Sequence, residues 1–448
     1  MEINMTEKAL ELLKAKRFVD LKNLFVVLNG PDVALILEEM PEDSLPVLFR
    51  ILPKELASEA FVEMDYDSQE VLIRAFTDKE LKEVLDELFV DDAVDLIEEM
   101  PAGVVKRILR NTDPETRRVI NQILNYPEDS AGSIMTTEYV RLQKEMTVDQ
   151  AFNRIRQTGA DKETIYTCYV TDERRVLRGL VTVRQLLLAD REQIIGDIME
   201  TNLISVDTMM DKEEAVQTLS KYGFSVMPVV DKEQRLVGII TFDDALDVIE
   251  EEATEDIAMM SAVTPTDKPY LKTGVIELFR SRIVWLLVLM LSATFTSIIL
   301  TSFEESLAAC VVLTAYIPML TSTGGNSGSQ ASATIIRAIS LGDVDLSDLP
   351  PILWKEARVA VIAGAVLAAA NFVKLLIFDK LTIPIALVIC LTLYATVIVA
   401  KLVGCTLPLL AKRLKLDPAV MANPFISTIV DALSLVIYLT IATAVLGL

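Results

Sequence analysis

The spacing of apolar and polar positions changes character three times along this chain. From residue 1 to about 130, apolar residues recur every three or four positions between Pro41, Pro46, Pro53, Pro101 and Pro114, which predicts a run of short amphipathic helices. The pattern repeats itself: DVALILEEMP from Asp32 to Pro41 and DAVDLIEEMP from Asp92 to Pro101 lie 60 residues apart. Helical units that echo one another in this way stack into a superhelix. From 131 to 246 the period shortens and a second repeat begins. Ser133-Ile-Met-Thr136 and Asp197-Ile-Met-Glu200 lie 64 apart, and Gly179-Leu-Val-Thr182 and Gly238-Ile-Ile-Thr241 lie 59 apart. Each unit reads as an opening motif, polar loop, helix, apolar strand, tight turn, strand and helix, an α+β module in tandem.

Residues 243 to 265 predict a connecting helix with one apolar side (Leu246, Ile249, Ala253, Ile257) and one dense acidic side. Like charges such as Asp247, Glu250, Glu251 and Glu255 at three- and four-residue spacing destabilise an isolated helix by a few tenths of a kcal/mol per pair, so a counter-ion or screening must offset them. Pro265 and Pro269 are expected to end this helix.

The third regime, 270 to 448, holds five apolar stretches: 282–302, 307–339, 357–378, 382–411 and 419–447. Each can cross a hydrocarbon core of about 30 Å, which predicts an all-α membrane domain of five transmembrane helices. Arg280, Arg282, Arg337, Lys355, Arg358, Lys412, Arg413 and Lys415 gather on one side of these spans. The positive-inside rule then puts the N-terminus in the cytosol and, for an odd number of spans, the C-terminus outside.

Charge sharpens this division. The first 268 residues carry 55 of the 65 acids and 30 of the 42 bases, a net charge of −25. Such a field repels nucleic acid and attracts cations. The chain opens on a charged amphipathic pattern rather than a signal peptide, so the soluble part is expected in the cytosol. The four cysteines are scattered without disulfide or zinc spacing, and there is no histidine. Any metal must therefore be held by oxygen, which favours hard cations such as Mg2+ or Ca2+. No phosphate-cradling Gly-x-x-x-x-Gly-Lys-Ser/Thr loop is present, which argues against an ATP-driven pump and against an enzyme of that class.

Two stretches carry chemistry into the membrane. The second apolar segment turns into TSTGGNSGSQASATIIRAI, in which Asn326 and Gln330 share one helical face and Gly324, Gly325, Gly328 and Ser332 permit close backbone approach. Lipid cannot solvate such groups, so this half either packs tightly against a neighbour or lines a water-filled path. The last segment carries Asp431, an intramembrane carboxylate and by default a functional residue. Pro424 is expected to free a carbonyl one turn earlier, and Asn423 falls near the face of Asp431. Lys401, also mid-membrane, is the alternative partner for Asp431. A proton- or sodium-coupled secondary transporter of divalent cations, with Asp431 as a proton relay, is the competing function.

These motifs carry two resemblances. The tandem repeat resembles a pair of CBS domains, regulatory modules in which a Gly-x-x-Thr-x-x-Asp ending holds ribose. The second repeat matches with Thr241 and Asp244, whereas the first has Thr182 but Gln185 in the acid's place. Tyr126-Pro-Glu-Asp-Ser-Ala-Gly132, the acidic connecting helix, Thr323-Gly-Gly-Asn326-x-Gly-x-Gln330 and Asp417-Pro…Asn423-Pro…Asp431 together resemble the MgtE family of magnesium channels over essentially the whole chain. The resemblance implies a homodimer in the bacterial inner membrane, with one pore on the dimer axis and Asp431 binding hydrated Mg2+. Asn423, Asn326 and Asp417 are the further pore residues that it implies. Glu59, Asp91, Asp95, Asp247 and Glu255 are the implied gating acids, whose Mg2+ holds the connecting "plug" helix shut. ATP or another adenosine nucleotide at the CBS pair is the remaining cofactor it suggests.

Overall fold

The structure, a computed structural model, describes residues 2 to 266, 270 to 421 and 423 to 447. It falls into two compact units, Met1–Val248 and Ile249–Leu448, each taken by itself below.

The first unit opens with ten α-helices, from Glu2–Lys14 to Pro114–Ile123. Proline, or a side-chain cap, starts most of them. Pro31 and Pro114 sit in first turns, where the missing N–H costs nothing, and Thr77 and Glu80 form a reciprocal capping box. Each helix packs largely on the one after next: Gly30–Glu38 on Lys54–Val62, Leu45–Ile51 on Tyr66–Ala75, Asp78–Leu85 on Ala102–Asn111, and Val90–Glu99 on Pro114–Ile123. That is the winding of a superhelix. The sequence echo has a packing cause, because the same five positions are buried in both copies. Val33, Ala34, Ile36, Leu37 and Met40 answer to Ala93, Val94, Leu96, Ile97 and Met100. Arg107 ties the later helices together by donating to the carbonyls of Ile73 and Phe76.

The tandem modules each build a three-stranded sheet. Strand β1 (Tyr139–Leu142) lies parallel to β2 (Thr164–Thr171), which pairs antiparallel with β3 (Leu177–Thr182). In the second, β4 (Val206–Asp207) lies parallel to β5 (Val226–Val230), which pairs antiparallel with β6 (Leu236–Thr241). Each opening motif completes the other module's sheet: Thr136 bridges Ile239 of β6, and Glu200 bridges Leu180 of β3. The repeated glycines follow from this exchange. A Cβ on Gly179 would stand 2.7 Å from Met199 Sδ, and one on Gly238 only 2.5 Å from Met135 Sδ.

The connecting helix, Phe242–Met260, is continuous and ends before Pro265; Pro269 lies outside the described residues. Beyond it come five helices of 24 to 31 residues: Val275–Ser302, Ile317–Ser340, Leu349–Ile377, Ile383–Arg413 and Asn423–Leu446. All but Ile317–Ser340 are long and apolar enough to cross a membrane. Two expectations change here. The apolar run from Leu307 does not continue into Ile317–Ser340: it forms a short helix, Glu304–Ala309, and a 3-10 turn, Val311–Tyr316. Pro318 explains the fresh start, since it suits a first turn and not an interior. Pro424 likewise sits in the first turn of the last helix, where it releases no intrahelical bond. The interior proline is Pro408, which leaves the carbonyl of Gly404 without its intrahelical donor.

Candidate cation path and regulatory site

In the membrane unit the polar helix Ile317–Ser340 is held from behind by its glycines. A Cβ on Gly324 would fall 2.7 Å from Thr396 Cγ2 and 2.8 Å from Val430 Cγ1, and one on Gly328 only 2.7 Å from Ile426 Cγ2. Gly325 has more room, with Ser427 Oγ the nearest atom at 3.6 Å. The glycine face is thus buried against Ile383–Arg413 and Asn423–Leu446. The opposite edge carries Ser322, Asn326, Gln330 and Thr334 at four-residue spacing, all exposed in the single chain. Close packing and a polar face are therefore two sides of one helix.

Asp431 lies one turn beyond Ser427, the residue facing Gly325, and is partly buried in an otherwise apolar helix. It does not pair with Lys401. Lys401 Nζ instead lies 3.5 Å from Glu356 Oε2 of Leu349–Ile377. The side chain of Asn423 lies outside the described residues. Asp417 stands off the helices, exposed, and its carboxylate accepts a 2.7 Å hydrogen bond from the N–H of Ala419. It faces the end of the connecting helix, where burial and then Asp417 raise the Asp256 carboxyl above its ordinary range while the Ser340 hydroxyl opposes the rise. Ser340 Oγ donates to Asp256 Oδ2 at 2.9 Å, and Met259 and Met260 pack on Ile336 and Ala419. The end of the connecting helix thereby touches the C-terminal end of the polar helix directly.

In the soluble unit a second group of acids converges. Asp91 is 8% exposed, and its Oδ1 has no hydrogen-bond partner. Burial, then Asp244, Asp92 and Glu163, push its carboxyl well above the usual range. Asp92 rises to about 6 through burial and Asp244, and Glu163 to about 7 through burial, Asp244 and Asp243. Glu138 also rises through burial, although its Oε2 accepts a 3.2 Å hydrogen bond from the N–H of Val90. Three elements contribute: the helix Val90–Glu99, the first module around β1 and β2, and the start of the connecting helix.

Of the residues expected to gate, Asp91 is in this group, while Asp247 lies one turn past Asp244 and acts on it by charge. Asp95 and Glu59 are exposed on helices of the superhelix, and Glu255 lies in the membrane-side unit, half-buried. Asp92 belongs to the same acidic turn as Asp91, whereas sequence reasoning missed Glu138 and Glu163, which lie far from it in the chain and carry no spacing signal. Among the described residues no three carboxylates stand close enough to hold one bare ion. The buried, unpartnered oxygens of Asp91 and Glu163 nonetheless suit a cation, and an all-oxygen set at looser spacing suits Mg2+ that keeps part of its water shell.

Asp244 is drawn into that group and accepts from the Thr241 hydroxyl at 2.5 Å. A polyphosphate there would face the same carboxylates. In the first module the Thr182 N–H and hydroxyl both donate to Gln185 Oε1, at 2.7 and 2.9 Å, while Gln185 Nε2 donates to Glu200 at 2.8 Å.

Comparison with known proteins gives the family. Residues 317–441 match the family described as "Divalent cation transporter", residues 28–129 the "MgtE intracellular N domain", and residues 131–192 and 195–251 the CBS domain. The chain is 36% identical over 432 residues to the magnesium transporter MgtE of Thermus thermophilus, with 95% of each chain covered. To the magnesium transporter MgtE of Bacillus subtilis it is 29% identical over 433 residues, covering 97% of this chain and 95% of that one. A solved structure of the cytosolic domain of the Mg2+ channel MgtE in complex with ATP aligns with a TM-score of 0.52 at 34% identity, covering 54% of this chain and 99% of the other. The chain therefore belongs to the MgtE family of magnesium transporters, multi-pass membrane proteins with a helical N-domain and paired CBS domains.

Proposed function

We propose that the chain is a Mg2+-selective channel for magnesium uptake, assembled as a homodimer and closed by cytosolic Mg2+. The observation that carries this reading is the exposed polar edge Ser322, Asn326, Gln330 and Thr334 on a helix packed among membrane spans. At membrane depth such groups need protein or water, so a second copy placed edge to edge would satisfy them around a hydrated path. The two-fold axis would pair two Asp431 carboxylates with the amides of Asn326 and, from its place in the sequence, Asn423. Mg2+ dehydrates reluctantly, so carboxylates and amides contacting its water shell suit it better than a closed cage. Asp417 stands at the cytosolic mouth. In this reading Ile317–Ser340 is one of five spans, with the N-terminus cytosolic and the C-terminus outside.

Regulation follows from the acids. Metal-free, Asp91, Asp92, Glu163 and Asp244 repel one another, and Mg2+ among them favours the closed arrangement by its differential affinity for the two states. Asp95, Asp247, Glu255 and Glu59 add to the same field. The connecting helix, about 28 Å long at 1.5 Å per residue, carries the change to the path through Asp256 and Ser340. An adenosine nucleotide at the CBS pair would be held by Thr241 and Asp244, with Thr182 in the first module, where Gln185 instead holds the Glu200 carboxylate.

Introduction of Asn326→Cys into a cysteine-free chain tests the dimeric path. Oxidation in native membranes should link two copies and block Mg2+ uptake; absence of the link with uptake intact would refute it.

A further inference from the structure

We propose that Glu356 is a selectivity-determining residue: it neutralises Lys401 behind the cation path, so that Mg2+ meets no fixed positive charge there. The inference rests on the path proposed above. Both groups belong to membrane-spanning helices, and their side chains are 10% (Lys401) and 17% (Glu356) exposed. Lys401 lies between two residues that hold the polar helix. The carbonyl of Ala400 would be 3.2 Å from a Cβ on Gly328, and Gly404 rests against the Gly328 backbone. Gly328 is in turn two residues from both Asn326 and Gln330. The ammonium is thus about one helix diameter, roughly 10 Å, from the amide edge. It has one charged partner among the described residues, Glu356, whose Oε2 makes no hydrogen bond.

An ion pair at this depth is a poor source of stability, since desolvation consumes most of the attraction. Its consequence for transport is electrostatic. With Glu356 present the pair is neutral at the distance of the path. Without it, a lone unit charge roughly 10 Å away, in surroundings of effective dielectric near 20, shifts cation occupancy on the order of tenfold per ionic charge. A divalent ion feels this twice, so the ratio of Mg2+ to K+ flux should move by on the order of tenfold.

The test compares Glu356→Gln, Lys401→Met and the double variant in the full-length protein reconstituted in liposomes, reading Mg2+ and K+ flux separately. Glu356→Gln should lower the Mg2+ to K+ ratio about tenfold, Lys401→Met should raise it, and the double variant should return it to the wild-type value. A merely structural pair would move both single variants the same way, which would overturn the proposal. Should Glu356→Gln not assemble, equal ratios in Lys401→Met and the double variant would overturn it as well. Asp431→Asn is the separate control: if it conducts Mg2+ normally, the path is elsewhere and that reading fails, whatever the pair does.

Discussion

Gly404 lies directly against the backbone of Gly328, so closely that position 404 has no space for a methyl group. Overpacking at such a crossing costs about 1–3 kcal/mol: a methyl on Gly404 would meet only Gly328 backbone, and one on Gly328 would meet the branched Ile426 side chain at 2.7 Å and the Ala400 carbonyl at 3.2 Å. Gly328→Ala and Gly404→Ala should therefore lower the thermal stability of the detergent-solubilised protein clearly, whereas Gly325→Ala, with 3.6 Å to Ser427, should leave it nearly unchanged. Equal effects at all three positions would contradict this packing.

Protons should substitute for Mg2+ at the soluble acids. Asp92 and Glu163 have carboxyls raised to about 6 and about 7, so without metal their contribution to the closed arrangement is full below about pH 4. It is lost as pH rises through 6 and 7. Protons and Mg2+ neutralise the same carboxylates and favour the same arrangement, so the Mg2+ concentration that protects the soluble domains from protease should fall as pH falls from 7.5 to 5.5. A midpoint independent of pH would mean that these groups do not bind the ion.

Asp244 should matter more to gating than Asp247. Asp244→Asn, and Asp91→Asn, should leave the channel open at cytosolic Mg2+ that closes the wild type, while Asp247→Asn should shift the midpoint by a smaller factor. Neutralising Asp91, Asp95, Asp247 and Glu255 together should abolish both closure and protease protection. Patch recordings over a Mg2+ series measure closure, and limited proteolysis over the same series measures protection.

Breaking the junction between connecting helix and path should separate sensing from closure. Ser340→Ala removes the 2.9 Å bond to Asp256, so Mg2+ should still protect the soluble domains but close the channel less completely. If protection and closure fall together, the coupling runs through another contact.

Much of this was legible in the sequence because periodicity and repetition record burial. The echo of Asp32–Pro41 in Asp92–Pro101 marks the same buried positions, and the carboxylate at Asp431 stands out in an apolar run. The meaning of Gly179 and Gly238 was not legible, since each is fixed by a methionine of the other module's opening motif. The acids Glu138 and Glu163 carry no signal in the sequence, and only the fold sets them beside the helix turn that bears Asp91 and Asp92. Nothing in the spacing marks Glu356, and only the packing of two helices identifies it, rather than Asp431, as the partner of Lys401.

Single-channel recording of the purified protein in a lipid bilayer, with Mg2+ as the permeant ion and no proton or sodium gradient, bears most directly on the proposed activity. The account predicts discrete Mg2+ currents whose open probability falls steeply over roughly millimolar Mg2+ on the cytosolic side, and no such currents in Asp431→Asn. Mg2+ movement only when a proton or sodium gradient is imposed, or wild-type currents in Asp431→Asn, would contradict it.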